Sequence, residues 1–137
     1  MAHLQKAIEE SVATLRGLAA LEEPLNRAAK LVLNCLTSGK KLLVCGNGGS
    51  ASDATHLATE FLCRFQHDRR PYPAISLTAN GEFMTAVCND YSADEMFARE
   101  AEQLEHEGVD VGDLAGGGIE DEDSVVGRFK QATVANF

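Results

Sequence analysis

Leu42-Leu43-Val44-Cys45-Gly46-Asn47-Gly48-Gly49-Ser50 is the stretch on which the fold turns. Its first four residues are a short apolar run closed by glycine, the pattern of a strand buried on both faces of a parallel sheet. Gly46 to Ser50 then forms a tight loop. From Ser50 a helical period takes over, with Ala51, Ala54, Ala58, Phe61 and Leu62 on the inner side. Ser50 and Asp53 are spaced as a capping box with Asp in place of the usual Glu. Pro71-Tyr72-Pro73 stops the helix, and Ala74-Ile75-Ser76-Leu77 reads as a second strand. Strand, helix and strand of these lengths make a right-handed βαβ unit. The fold class is therefore α/β, a parallel sheet flanked by helices on both sides.

Upstream, Leu4, Ile8, Val12 and Leu15 recur at helical spacing, and a second helix has Pro24 in its first turn and Leu25, Ala29, Val32 and Leu36 inward. Gly39 is placed to end it in a left-handed conformation. The first helix carries an apolar stripe that needs the sheet or a second subunit to cover it, so an oligomer is expected. Downstream, Phe83, Met84 and Val87 mark a short helix ending at Asn89-Asp90. Met96, Phe97, Ala101 and Leu104 mark another, closing at Gly108. The segment 109–137, with Gly116-Gly117-Gly118 and the acidic run Glu120-Asp121-Glu122-Asp123, reads as a flexible or weakly ordered tail.

The chain has 137 residues, 45% hydrophobic and 24% charged, enough for one domain with a core. Its formal net charge is -9, from 21 acidic and 12 basic residues. That field repels phosphate backbones and anionic membranes, so neither nucleic acid nor membrane is the expected partner. Cys35, Cys45, Cys63 and Cys88 form no C-x-x-C pair and sit in apolar or semi-apolar contexts, as reduced and mostly buried thiols do. The charged N-terminus lacks the apolar run of a signal peptide, and no segment approaches a membrane span, which points to the cytoplasm.

Chemistry concentrates at the glycine-rich loop. Glycines let backbone approach an anion closely, and the helix start supplies free N–H groups and a positive dipole end. Ser50 and Ser52 add hydroxyls. A plain tight turn, a dinucleotide site and a polyol or phosphosugar cradle all suit this pattern. Gly46, Gly48 and Ala51 satisfy G-x-G-x-x-[GA], yet the second strand ends in Leu77-Thr78-Ala79-Asn80, without the acid that a dinucleotide ribose needs. Asn47, both donor and acceptor, favours the polyol. His56 and Glu60, four apart, share a helix face. They suit a divalent metal or acid–base work, and equally a solvated surface pair. Asn89-Asp90 suits a polar contact or a simple turn.

Cys45-Gly46-Asn47-Gly48-Gly49-Ser50, His56-Leu57-Ala58-Thr59-Glu60, Arg70-Pro71-Tyr72-Pro73-Ala74-Ile75 and Cys88-Asn89-Asp90-Tyr91 together resemble the phosphoheptose isomerases of the sugar-isomerase (SIS) family, in order and spacing. The likeness covers about residues 1–108. It implies a flavodoxin- or Rossmann-like SIS fold and interconversion of sedoheptulose 7-phosphate with D-glycero-D-manno-heptose 7-phosphate, towards the heptose of bacterial lipopolysaccharide. It further implies a homotetramer with sites between subunits, and a bound zinc. Asn47, Gly48, Gly49, Ser50, Glu60, Asn89 and Asp90 would bind substrate. His56 and Glu60 would be metal ligands, and Glu60 the catalytic base that removes a proton alpha to a carbonyl to give an enediol.

The tail departs from that family. A third strand, a Ser/Thr-rich phosphate loop, and a helix with a glutamine and a histidine are implied after Gly108. Instead Val109-Asp110-Val111-Gly112-Asp113-Leu114 runs into the glycines, Ser124 is the only serine after Ser92, and no histidine follows His106. The sheet is expected to be incomplete at that end. A non-catalytic SIS module that binds a phosphosugar, or a partner protein such as a replication initiator, is the alternative. Relatives of that binding kind typically lack the glutamate that this chain keeps as Glu60.

Overall fold

The computed structural model describes residues 2–109, and apart from Val109 the expected tail lies outside them. The element order is α1 (Ala2–Gly17), a 3-10 turn (Leu18–Leu21), α2 (Glu22–Thr37), β1 (Leu42–Val44), α3 (Gly49–Leu62), β2 (Ala74–Ser76), α4 (Gly81–Asp90), a 3-10 turn (Ala93–Glu95) and α5 (Met96–His106). The α/β class and the two leading helices are as the sequence led us to expect.

β1 and β2 pair in parallel, with Leu42 opposite Ala74, Leu43 opposite Ile75 and Val44 opposite Ser76. Each strand is one residue shorter than the apolar run it came from. The register sorts side chains by the two-residue period of a strand. Leu43, Cys45 and Ile75 pack on the principal core of Leu77, Val87, Met96, Phe97, Ala98 and Ala101, formed with α4 and α5. The alternate residues face α3, where Thr55 meets Ser76 and where Ala54 and Ala58 are buried.

Three expectations need correction here. The residues of β1 are half-buried rather than enclosed on both faces, because among the described residues the sheet has only two strands and each is an edge. On α3, Leu62 is 48% exposed and lies off the inner side. Cys63 and Cys88 are exposed, and only Cys35 and Cys45 are half-buried. Burial pushes the Cys45 thiol up from its ordinary value.

Helix ends follow local chemistry. Gly39 takes φ +84, and the Gly39 and Lys40 amides donate to Leu36 and Cys35 carbonyls, the paired bonds of a Schellman cap. Gly108, φ +77, repeats it with Gly108 N–H to Glu105 and Val109 N–H to Leu104. Asn80 caps α4, its side chain accepting from the Phe83 amide at 3.1 Å. The stripe Leu4, Ile8, Val12 and Leu15 on α1 is 40–70% exposed, and α1 meets the rest of the chain chiefly through the following 3-10 turn.

Glu100, on α5, carries an Oε2 that is buried without a hydrogen-bond partner among the described residues, and burial holds its carboxyl above the usual range. The folded state therefore binds this proton more tightly than the unfolded chain. Its contribution to stability is complete below the ordinary carboxylate value and is lost as pH rises through the folded value. Glu100→Gln is expected to raise Tm at about pH 7 and to leave it nearly unchanged below about pH 4, as read by melts across that range.

Candidate functional site

In a parallel sheet, loops at the C-terminal ends of adjacent strands lie side by side, which is where such folds bind ligands. Here the Leu77 amide donates to the Val44 carbonyl at 2.9 Å, bringing the two strand ends level. The glycine-rich loop leaves β1 and residues 77–80 leave β2 at that common end.

The loop owes its shape to two glycines. A Cβ on Gly46 would lie 2.5 Å from the Ser50 carbonyl oxygen, so the strand can turn back over the helix start only without a side chain. Gly48, the N-cap of α3, has φ 57 and ψ −123, a conformation open to glycine alone. The expected capping box does not form. Gly48 caps the helix with no side-chain bond, and the first turn is closed by Ser50 N–H to the Asn47 carbonyl and Ala51 N–H to the Gly48 carbonyl. The Gly48 and Gly49 amides have no backbone acceptor among the described residues and sit at the positive end of the helix dipole.

Beyond this loop, an open groove of about 590 Å³ runs along α3, lined by Ala51, Ser52, Thr55, His56, Thr59, Glu60 and Thr78. His56 Nε2 and Glu60 Oε1 stand 3.0 Å apart. The imidazole is 75% exposed and the carboxylate 29%, so Glu60 is the more sheltered of the two and the better placed to meet a ligand shielded from water. Asn47 to Ser50 lie just ahead of the groove's first lining residue. Asn89 and Asp90 end α4, exposed, and do not line it.

The sequence reading missed a cluster of hydroxyls in which Thr55 and Thr78, from the groove lining, meet Ser76. Thr55 Oγ1 lies 3.1 Å from Ser76 Oγ and 3.3 Å from Thr78 Oγ1, and Ser76 Oγ lies 2.8 Å from Thr78 Oγ1. Thr55 and Thr78 each donate to the Ala51 carbonyl, at 3.0 and 3.2 Å. A hydroxyl has one proton to give. With two spent on Ala51 and the third shared inside the trio, the cluster has only lone pairs left for a ligand. It suits the hydroxyls of a polyol and not a phosphate, which needs donors. The signal available was position: Thr78 follows the end of β2, and Thr55 and Thr59 each precede a member of the His56–Glu60 pair.

Two zinc ligands at about 2.0–2.2 Å and a tetrahedral angle stand roughly 3.4 Å apart. The His56–Glu60 pair, at 3.0 Å, needs only a small side-chain adjustment to fit two adjacent corners of such a shell. Among the described residues no third His, Cys, Asp or Glu joins them.

A parallel βαβ unit with a glycine-capped helix start, and a polar groove on that helix, defines an α/β domain that binds its ligand at the C-terminal ends of its strands. Residues 7–114 match the SIS domain family, and the chain belongs to it. It is 43% identical over 98 residues to a phosphoheptose isomerase of Shewanella denitrificans, covering 71% of this chain and 50% of that one. Identity to the Shewanella sediminis phosphoheptose isomerase is 49% over 81 residues, 59% and 41% of the two chains. Among solved structures it is similar to phosphoheptose isomerase GmhA from Neisseria gonorrhoeae, with 35% identity and a TM-score of 0.68 over 75% of this chain and 53% of that one. A phosphoheptose isomerase from Francisella tularensis gives 36% and 0.71, over 75% and 55%. The chain spans about half the length of the curated relatives it matches.

Three neighbouring glycines separate backbone demands from ligand demands. Gly48→Ala is expected to lose about 1–3 kcal/mol of stability from its strained backbone, and Gly46→Ala a similar amount from forced displacement of Ser50. A Cβ on Gly49 meets nothing within 4 Å, so urea denaturation of Gly49→Ala should match the parent.

Proposed function

We propose that this chain carries the loop, groove and base of a phosphosugar isomerase acting on sedoheptulose 7-phosphate and D-glycero-D-manno-heptose 7-phosphate. The observation that carries the reading is the sheltered Glu60 carboxylate, held by His56 at 3.0 Å in a polar groove beside the glycine-rich loop. The relatives named phosphoheptose isomerase support the choice of reaction.

In this reading Glu60 takes the proton from the carbon next to the carbonyl. The C–H electron pair becomes the enediol double bond, and the carbonyl oxygen receives a proton. Return of the proton from Glu60 to the neighbouring carbon, with loss of the other hydroxyl proton, completes the exchange of aldose and ketose. Thr55 and Thr78 accept hydrogen bonds from sugar hydroxyls. Asn47, the Gly48 and Gly49 amides and the Ser50 hydroxyl hold polar or anionic groups of the substrate near the helix start, while Asn89 and Asp90, outside the groove lining, would meet only a part of the substrate that extends beyond it. A zinc ion held by His56 and Glu60, with further ligands from elsewhere, would stabilise negative charge on the substrate oxygen. The apolar stripe of α1 supports assembly into an oligomer, a tetramer in this reading, and the setting is cytoplasmic.

The second reading, a phosphosugar-binding module without turnover, is favoured by one observation: among the described residues His56 and Glu60 are the only ionisable groups lining the groove. Turnover of sedoheptulose 7-phosphate, with zinc and with chelator, decides between them. The isomerase reading expects Glu60→Gln to lower kcat/KM by roughly 100- to 10,000-fold. Saturable binding without turnover, in folded parent protein, would replace it with the binding module.

A further inference from the structure

The helix that carries His56 and Glu60 ends in an unusual way. The last four carbonyls of any helix lack intrahelical partners, and here Glu60 and Phe61 are among them. Arg69, half-buried in the segment that returns to β2, fills that role. Its Nη1 donates to the Phe61 carbonyl at 2.8 Å, and its Nη2 donates to the Glu60 carbonyl. Nη1 also reaches the carbonyl of Arg70 at 3.1 Å. The guanidinium sits 4.6 Å from the centre of the Tyr72 ring, and the Tyr72 amide donates to the same Phe61 carbonyl at 3.0 Å.

A rigid, planar cation thus clamps two successive carbonyls at the negative end of the α3 dipole, backed by an aromatic face. One of those carbonyls belongs to Glu60 itself. A carboxylate on two rotatable bonds beyond Cβ is only as well placed as its backbone, and nothing else among the described side chains grips the backbone of that residue from outside the helix.

We infer that Arg69 is a positioning residue for the Glu60–His56 pair: it fixes the backbone of Glu60 so that the carboxylate stays in the groove and within reach of the imidazole. Its effect on turnover rests on the isomerase reading above, whereas its effect on the pair does not. A misplacement of about 1 Å at a reacting group can cost roughly 100-fold in rate, while the groove residues that would hold the sugar, Thr55 and Thr78, are tied to Ala51 at the far end of α3 and are untouched.

The test uses Arg69→Gln and Arg69→Lys in the full chain, with Glu60→Gln as reference. Arg69→Gln is expected to lower kcat by roughly 100-fold with KM held within about twofold. Arg69→Lys, which keeps the charge and loses the fork, should fall between it and the parent. Independently of activity, the His56 ring nitrogen NMR signals in Arg69→Gln should move towards those of Glu60→Gln, because the carboxylate has left the imidazole. If Arg69→Gln does not fold, Arg69→Lys carries both readouts. A lowered Tm with parental kcat and parental His56 signals would overturn the inference and leave Arg69 a helix cap. If the parent shows no turnover, the isomerase reading fails by itself, and the ring signals still decide the role of Arg69.

Discussion

The short ladder between β1 and β2 is the constraint on which the site depends. Leu42 N–H donates to the Pro73 carbonyl at 3.0 Å and Leu77 N–H to the Val44 carbonyl at 2.9 Å, bracketing three paired residues on each strand. This register does two things at once. It brings the glycine-rich loop and Thr78 to the same end of the sheet, and it divides the side chains between the α3 face and the α4–α5 face. A slip of one residue would exchange the faces, sending Ile75 to α3 and Ser76 into the apolar core. The trio of Thr55, Ser76 and Thr78 is therefore also a register lock, since only this pairing lets the three hydroxyls meet.

Much of this was legible from the residues. The apolar run at Leu42, the glycines after it and the return of helical period at Ala51 were enough for a βαβ unit, because each element depends on a local pattern. The ends of α2 and α5 were legible for the same reason, as a glycine in the left-handed region announces itself. What stayed hidden was non-local or competitive. Ser50 and Asp53 have the spacing of a capping box, yet the Gly46 turn presses the backbone of Ser50 against the strand, and Gly48 takes the cap. The burial expected of β1 assumed neighbouring strands on both sides. The hydroxyl trio spans 23 positions, and the Arg69 clamp joins a loop to a helix end, so neither leaves a periodic trace.

The polar side of the site is divided in a way that a net charge of -9 conceals. Near the helix start, the amides of Gly48 and Gly49, unpaired among the described residues, present partial positive charge. Midway along α3, the hydroxyls offer only acceptors. Further along stand a carboxylate and an imidazole. A ligand that spans the loop and the groove meets donors, then acceptors, then ionisable groups, a sequence that suits a long, polar, asymmetric molecule better than a compact one.

The distribution of burial sets the groove apart from the apolar core. The principal core draws all its buried members from Leu77 to Ala101, one continuous stretch of chain on the α4–α5 side of the sheet. Helix α3, by contrast, buries only Ala54 and Ala58, and its tie to the sheet requires closing the long path from β1 to β2. The groove is therefore carried by a helix held on both strands, and not by the apolar core on the other side of the sheet.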